Sequence, residues 1–174
     1  MPPKSLAPDT RVTVDRATNT IVLTRTFTAP REDVFEAWTQ PEHVACWWDA
    51  SGAPLSVCEI DLRPDGAFRF VHQGQPDVPP FSGVYREIVH SDRLVFTEVW
   101  DEDWTGGEAL VTMTFVEHAG KTALTQTVLY SSRAARDGAL KTGMERGVEI
   151  SYDRLASLPP SLHARPKEKE ASHS

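Results

Sequence analysis

The stretch Ile21-Val22-Leu23-Thr24-Arg25-Thr26-Phe27-Thr28-Ala29-Pro30-Arg31-Glu32-Asp33-Val34-Phe35-Glu36-Ala37-Trp38 changes its hydrophobic period halfway along. Ile21, Leu23, Arg25 and Phe27 alternate with Val22, Thr24 and Thr26, the two-residue period of a strand. Pro30 stands where a first-turn proline is tolerated, because the N–H it lacks would have no partner inside a helix. Val34, Ala37 and Trp38 then fall at helical spacing. The spacing predicts a strand that runs directly into a helix. Thr39-x-x-Glu42 has the form of a capping box and predicts a second short helix through Pro41 to about Trp47.

Downstream, Leu55 to Tyr130 reads as strands divided by turns. Leu55–Leu62 meets Pro64-Asp65-Gly66, where proline presets φ and glycine accepts a positive one. Strands are predicted over Ala67–His72, Ser82–Val89 and Arg93–Trp100, and over Glu108–His118 and Lys121–Tyr130 as a hairpin across Ala119-Gly120. In that hairpin Val111, Met113 and Phe115 share one face while threonines fill the other, as in an antiparallel sheet covered on one side. The cover is expected from a single long helix carrying the stripe Leu140, Met144, Gly147, Val148, Ser151, Leu155 and Leu158. The expected class is therefore α+β, a curved antiparallel sheet of six to seven strands around a long C-terminal helix, with two short helices after the first strand. Residues 1–12 are expected to form a flexible arm, 13–158 the domain and 159–174 a disordered tail, because both ends are polar and proline-rich.

The chain has 174 residues, 40% of them hydrophobic, enough for one sizeable core. Its net charge of −7 disfavours sequence-independent binding to nucleic acid, which runs on Lys and Arg neutralising phosphates, and disfavours a polybasic membrane role. No membrane span and no secretory signal are read, so a cytoplasmic location is expected. The two cysteines, Cys46 and Cys58, have neither redox-pair nor zinc-pair spacing and read as small hydrophobes. His43 and Cys46 are three apart with no second pair to join them, so no metal is expected; neither is a cofactor, since no phosphate- or dinucleotide-binding motif is present.

Five tryptophans are many for this length. Trp47-Trp48 reads equally as a core plug or as a pocket wall. Trp48, Phe68, Phe70, Tyr85, Phe96, Trp100, Met113 and Met144 are the expected ligand-facing set, on one sheet face under a glycine-bearing helix. Three side chains could carry proton chemistry. Glu98 is a buried acid or base if its strand face points inward, and a hydrated rim residue otherwise. His72 ends the Phe68–Phe70 face and could titrate near neutrality. Tyr85 brings a hydroxyl to the interior.

The run Thr24 to Trp38 resembles the opening of the START-like, helix-grip (SRPBCC) superfamily, and more narrowly the branch named for the C-terminal domain of the Hsp90 ATPase activator Aha1. Gln40-Pro41-Glu42-His43 with Trp47-Trp48, Leu62-Arg63-Pro64-Asp65-Gly66, Gly83-Val84-Tyr85-Arg86-Glu87-Ile88 and Gly143-Met144-Glu145-Arg146-Gly147 match that branch in order. The resemblance implies a cavity between sheet and helix. It leaves three functions open. The first is a binding module for an apolar or amphipathic small molecule, with a stress-related role among the family's. The second is a cyclase- or isomerase-like enzyme using the same cavity. The third is a protein-interaction module with an Hsp90-type chaperone as partner, which an exposed Trp38 or Trp104 would favour. A homodimer, through the uncovered threonine-rich sheet face or through an edge strand, is a further expectation.

Overall fold

The computed structural model describes residues 10–15, 17–49, 51–75, 78–101 and 107–158. Most of the expected arm (1–9), the expected tail (159–174) and Trp104 lie outside these residues.

The two-residue period of the opening stretch forms β2 (Thr20–Phe27), with Ile21, Leu23, Arg25 and Phe27 all buried. Ahead of it runs β1 (Arg11–Asp15), paired antiparallel to β2. The helices α1 (Arg31–Thr39) and α2 (Pro41–Trp47) follow, then β3 (Leu55–Ile60), β4 (Ala67–His72), β5 (Phe81–Val89), β6 (Arg93–Trp100), β7 (Ala109–His118) and β8 (Lys121–Leu129). The chain closes with α3 (Arg133–Lys141) and α4 (Met144–Ala156). The strands make one open antiparallel sheet in the order β1-β2-β8-β7-β6-β5-β4-β3. Register shifts at Leu55/Val57 in β3 and at Tyr85/Glu87 in β5 each put an irregularity into the ladder, a feature that bends a sheet.

Four details differ from the sequence reading. The sheet has eight strands, and the two short helices follow the second of them. The capping box does not form: Gln40 occupies the N-cap of α2 without a side-chain bond, and the Thr39 hydroxyl donates back to the Phe35 carbonyl at 2.9 Å. A hydroxyl on the last turn of a helix finds that carbonyl closer than the next helix's N–H. At the β3–β4 turn the positive φ belongs to Asp65 (69°), not Gly66. Gly66 is required for space, since a methyl there would collide with the carbonyl of Asp61. Finally, the long C-terminal helix is two helices. Gly143, at φ 80°, caps α4 in the left-handed region, so the stripe read as continuous bends between Lys141 and Met144.

Helix α4 is pinned at several points. Ser151 donates to the Trp48 carbonyl at 2.8 Å and Arg154 to the Cys46 carbonyl at 3.0 Å, which fixes it against the end of α2. Tyr152 donates to Gln126 of β8. Arg25, 5% exposed on β2, meets Asp153 at 2.7 Å.

Candidate functional site

The inner face of the sheet carries aromatic side chains at one end and polar ones nearer its middle. At the aromatic end, β4 supplies Phe68 and Phe70, β5 supplies Phe81 and Tyr85, and β6 supplies Leu94 and Phe96. Trp38 from α1 and Trp48 from just beyond α2 close the other side, leaving a cleft of about 20 Å³. Cross-strand pairing sets this arrangement: Phe81 lies opposite both Phe70 and Trp100, and Tyr85 opposite Phe96. Ring centroids stand 5.0 Å apart for Trp48 and Phe70, 5.2 Å for Trp48 and Phe81, and 5.4 Å for Phe68 and Tyr85. A void of this size holds about one water. Any larger occupant requires a wall to move, and Trp48 is the partly buried member of that wall.

Two polar groups in this wall have no protein partner among the described residues. The Trp38 Nε1–H is buried and unbonded, although the residue is only 8% exposed. The Tyr85 hydroxyl has no hydrogen bond among the described residues, and burial pushes it above the ordinary tyrosine range. A buried donor without a partner costs roughly 1–3 kcal/mol, so a ligand acceptor placed there recovers binding free energy.

The sequence-predicted residues divide as follows. Trp48, Phe68, Phe70, Tyr85 and Phe96 face the cleft. Trp100 packs beside it, 4.7 Å from Phe81 and stacked on His72 at 6.5 Å. Met113 is fully buried in the core. Met144 begins α4, where its sulfur receives the Tyr130 hydroxyl at 3.8 Å. Trp38, Phe81 and Leu94 complete the lining. Phe81 was hidden by the prolines before it, although it shares a face with Gly83 and Tyr85. Trp38 was read as an apolar helix position and as a candidate exposed residue of an interaction surface, not as part of the lining.

His72 and Glu98 share no hydrogen bond or ion pair among the described residues. Burial lowers the His72 pKa, and its Nδ1 is buried without a partner. Glu98 sits two residues beyond Phe96 on the same strand face. It is partly buried, with no hydrogen bond or ion pair among the described residues, and desolvation pushes its carboxyl up to about 7. A carboxyl raised this way binds its proton more tightly folded than unfolded. Its contribution to stability is therefore constant below about pH 4.5 and falls as pH rises toward 7. Glu98→Gln is expected to match the parent near pH 4 and exceed it by about 2 kcal/mol at pH 8, read by urea denaturation at both values. Equal stabilities at pH 8 would show that the carboxyl is hydrated after all.

Other features carry less. Cys58 is a poor nucleophile, its thiol pushed up to about 11 by burial and by Glu42. Among the described residues no three His, Cys, Asp or Glu side chains converge as a metal site. An open crevice between Arg31 and the β7–β8 turn is lined by Asp92, Glu117 and His118; the Arg31 guanidinium meets Asp92 at 3.4 Å and its backbone N–H donates to Glu117 at 3.1 Å.

An eight-stranded antiparallel sheet folded over helices around an aromatic cleft defines a START-like, helix-grip protein. Residues 28–159 match the family model described as "Activator of Hsp90 ATPase homolog 1-like protein", and the chain belongs to that family. No curated protein matches it. Among solved structures, a Rhodobacter sphaeroides protein is 28% identical, with a TM-score of 0.76 over 85% of this chain and 95% of that one. Protein Ms6760 of Mycobacterium smegmatis shares the fold at 23% identity, with a TM-score of 0.77 over 86% and 96%. DynU16, a protein of the dynemicin biosynthetic locus, is 26% identical with a TM-score of 0.59; the match covers 79% of this chain and 46% of that one. Among the described residues no helix is long and apolar enough to cross a membrane.

Proposed function

We propose that the protein binds a small aromatic molecule bearing a hydrogen-bond acceptor, held in the cleft between β4–β6 and the tryptophans of α1 and α2. The observation that carries this reading is the Trp38 N–H, buried in an otherwise apolar wall and bonded to nothing. A wall built for packing alone would place a hydrocarbon there, because an orphaned indole donor destabilises the fold. An acceptor atom of a ligand completes it. DynU16's place in a biosynthetic locus is in keeping with a small-molecule ligand. The interaction-module reading loses one of its two supports, because Trp38 is buried; Trp104 lies outside the described residues.

The test uses a matched pair of probes, acetophenone and ethylbenzene, alike in size but differing in the carbonyl. Calorimetric titration of the full chain is expected to show saturable binding of both, acetophenone the tighter. In Trp38→Phe, acetophenone should weaken roughly 3- to 10-fold, the worth of one hydrogen bond, while ethylbenzene stays unchanged. Absence of saturable binding by either probe up to millimolar concentration would defeat the proposal.

A further inference from the structure

Among the polar side chains of the inner sheet face are Arg25 on β2, Gln126 on β8 and Glu98 on β6. Two of them are matched. Arg25 holds Asp153 at 2.7 Å and Thr10 at 3.0 Å, and Gln126 accepts from Tyr152. Glu98 has neither a donor nor a cation among the described residues.

The strand on one side of it leaves room. Glu98 pairs with Ala109 of β7, a methyl where a larger side chain would crowd it. On the β5 side, the inward position near it is Gly83, where the Thr97 carbonyl and the ring of Phe68 already fill the place a side chain would take. The groups facing Glu98 from above are Tyr130, following β8, and Tyr152 of α4, and its charge acts on both. Neither hydroxyl turns to it: Tyr130 donates to Met144 Sδ and Tyr152 to Gln126. The nearest fixed cation of that region, Arg25, is engaged by Asp153. Tyr85 of β5 lies opposite Phe96, and neither it nor His72 of β4 has a hydrogen bond or ion pair to Glu98 among the described residues; α1 carries the buried Glu36 as well as Trp38, whose ring packs on Tyr152 at 5.9 Å.

We infer that Glu98 is the anionic subsite of the ligand cleft and receives a protonated amine carried about two atoms from the ligand's aromatic ring. This rests on the cleft reading above and adds a charge to it. The distance follows from strand geometry. Phe96 floors the cleft, and Glu98 is the next residue on its face, about 7 Å further along β6. A ring seated over Phe96 thus brings a short side arm to the carboxylate. An ammonium is the complement that this carboxylate lacks, and an ion pair in a partly buried place selects against a neutral analogue.

The test compares 2-phenylethylamine with 2-phenylethanol on the full chain and on Glu98→Gln, by calorimetry at pH 6 and pH 8. Thermal melts at each pH establish that both proteins are folded. In the parent, the amine is expected to bind roughly tenfold more tightly at pH 8 than at pH 6, following the ionised fraction of a carboxyl near 7, while the alcohol is indifferent to pH. In Glu98→Gln the amine should lose that dependence and bind no better than the alcohol. If both probes bind equally with no pH dependence, Glu98 is not a subsite and the cleft reading stands alone. If the amine's pH dependence survives in Glu98→Gln, another group supplies it and the inference fails. If neither probe binds, the cleft reading fails and takes this one with it.

Discussion

Gly83→Ala is expected to lower the stability of this protein by about 3 kcal/mol or more, a fall of roughly 6–12 °C in Tm for a domain of this size. Glycine inside a strand is usually a weakness. Replacing one by alanine commonly stabilises by about 0.4–1 kcal/mol, because the unfolded chain loses freedom. Here the sign reverses. A methyl on Gly83 would fall inside the carbonyl oxygen of Thr97 on β6 and 2.5 Å from Cζ of Phe68 on β4. The first neighbour is backbone and cannot turn aside without opening the β5–β6 ladder. That ladder already has its register shift at Tyr85/Glu87 and gains an extra bond in which the Val84 N–H donates to the Thr97 hydroxyl oxygen at 3.0 Å. The second neighbour is a wall of the cleft, so the ring of Phe68 would be driven into the 20 Å³ void. Urea and thermal denaturation measure the loss. A fall of less than about 2 °C would mean that the strands yield easily and that the close approach is not what demands glycine here.

Gly83 also shows where the sequence was legible and where it was not. The strand carrying it could be read, because Ser82–Val89 is rich in strand-forming residues and ends in the turn His90-Ser91-Asp92. The reason for the glycine could not, because it lies on two other strands. The same division holds elsewhere. Alternation in β2, β7 and β8 is a local property of one buried face and was readable residue by residue, whereas β1 is short, with an exposed–intermediate pattern that gives alternation little to report. The C-terminal stripe looked continuous because Gly143 fits a helix as far as spacing is concerned, and its left-handed φ appears only in three dimensions. At the site, the alternation put Glu98 on one strand face with Leu94 and Phe96 but left open whether it points inward or is a hydrated rim residue. Its isolation was not legible, since the pairing of Arg25 with Asp153 spans 128 positions of chain.

Trp47 and Trp48 were indistinguishable as a dipeptide, and the structure separates them by burial and by what each ring touches. Trp47 is 1% exposed, with its ring 4.6 Å from Trp38 and 6.4 Å from Tyr152, and its Nε1–H closes on the Ala37 carbonyl at 2.8 Å. That bond ties α2 to α1. Trp47→Ala should therefore cost about 3–5 kcal/mol, since it leaves both a large cavity and a buried carbonyl without its donor. Trp48 keeps part of its surface exposed and packs its ring on Phe70 and Phe81 at the cleft. The bond that anchors α4 there uses its backbone carbonyl, which truncation of the side chain leaves in place. Trp48→Ala should cost only about 1–2 kcal/mol, and its larger effect should fall on ligand exchange. Removal of the wall is expected to weaken acetophenone severalfold, the worth of one aromatic contact, and to speed its dissociation, measured by NMR line shape alongside the melts. If Trp48→Ala instead melts as early as Trp47→Ala and binds the probe as the parent does, the second indole is core like the first. The cleft then has no movable wall, and with a void of one water it could admit no ligand of the proposed size.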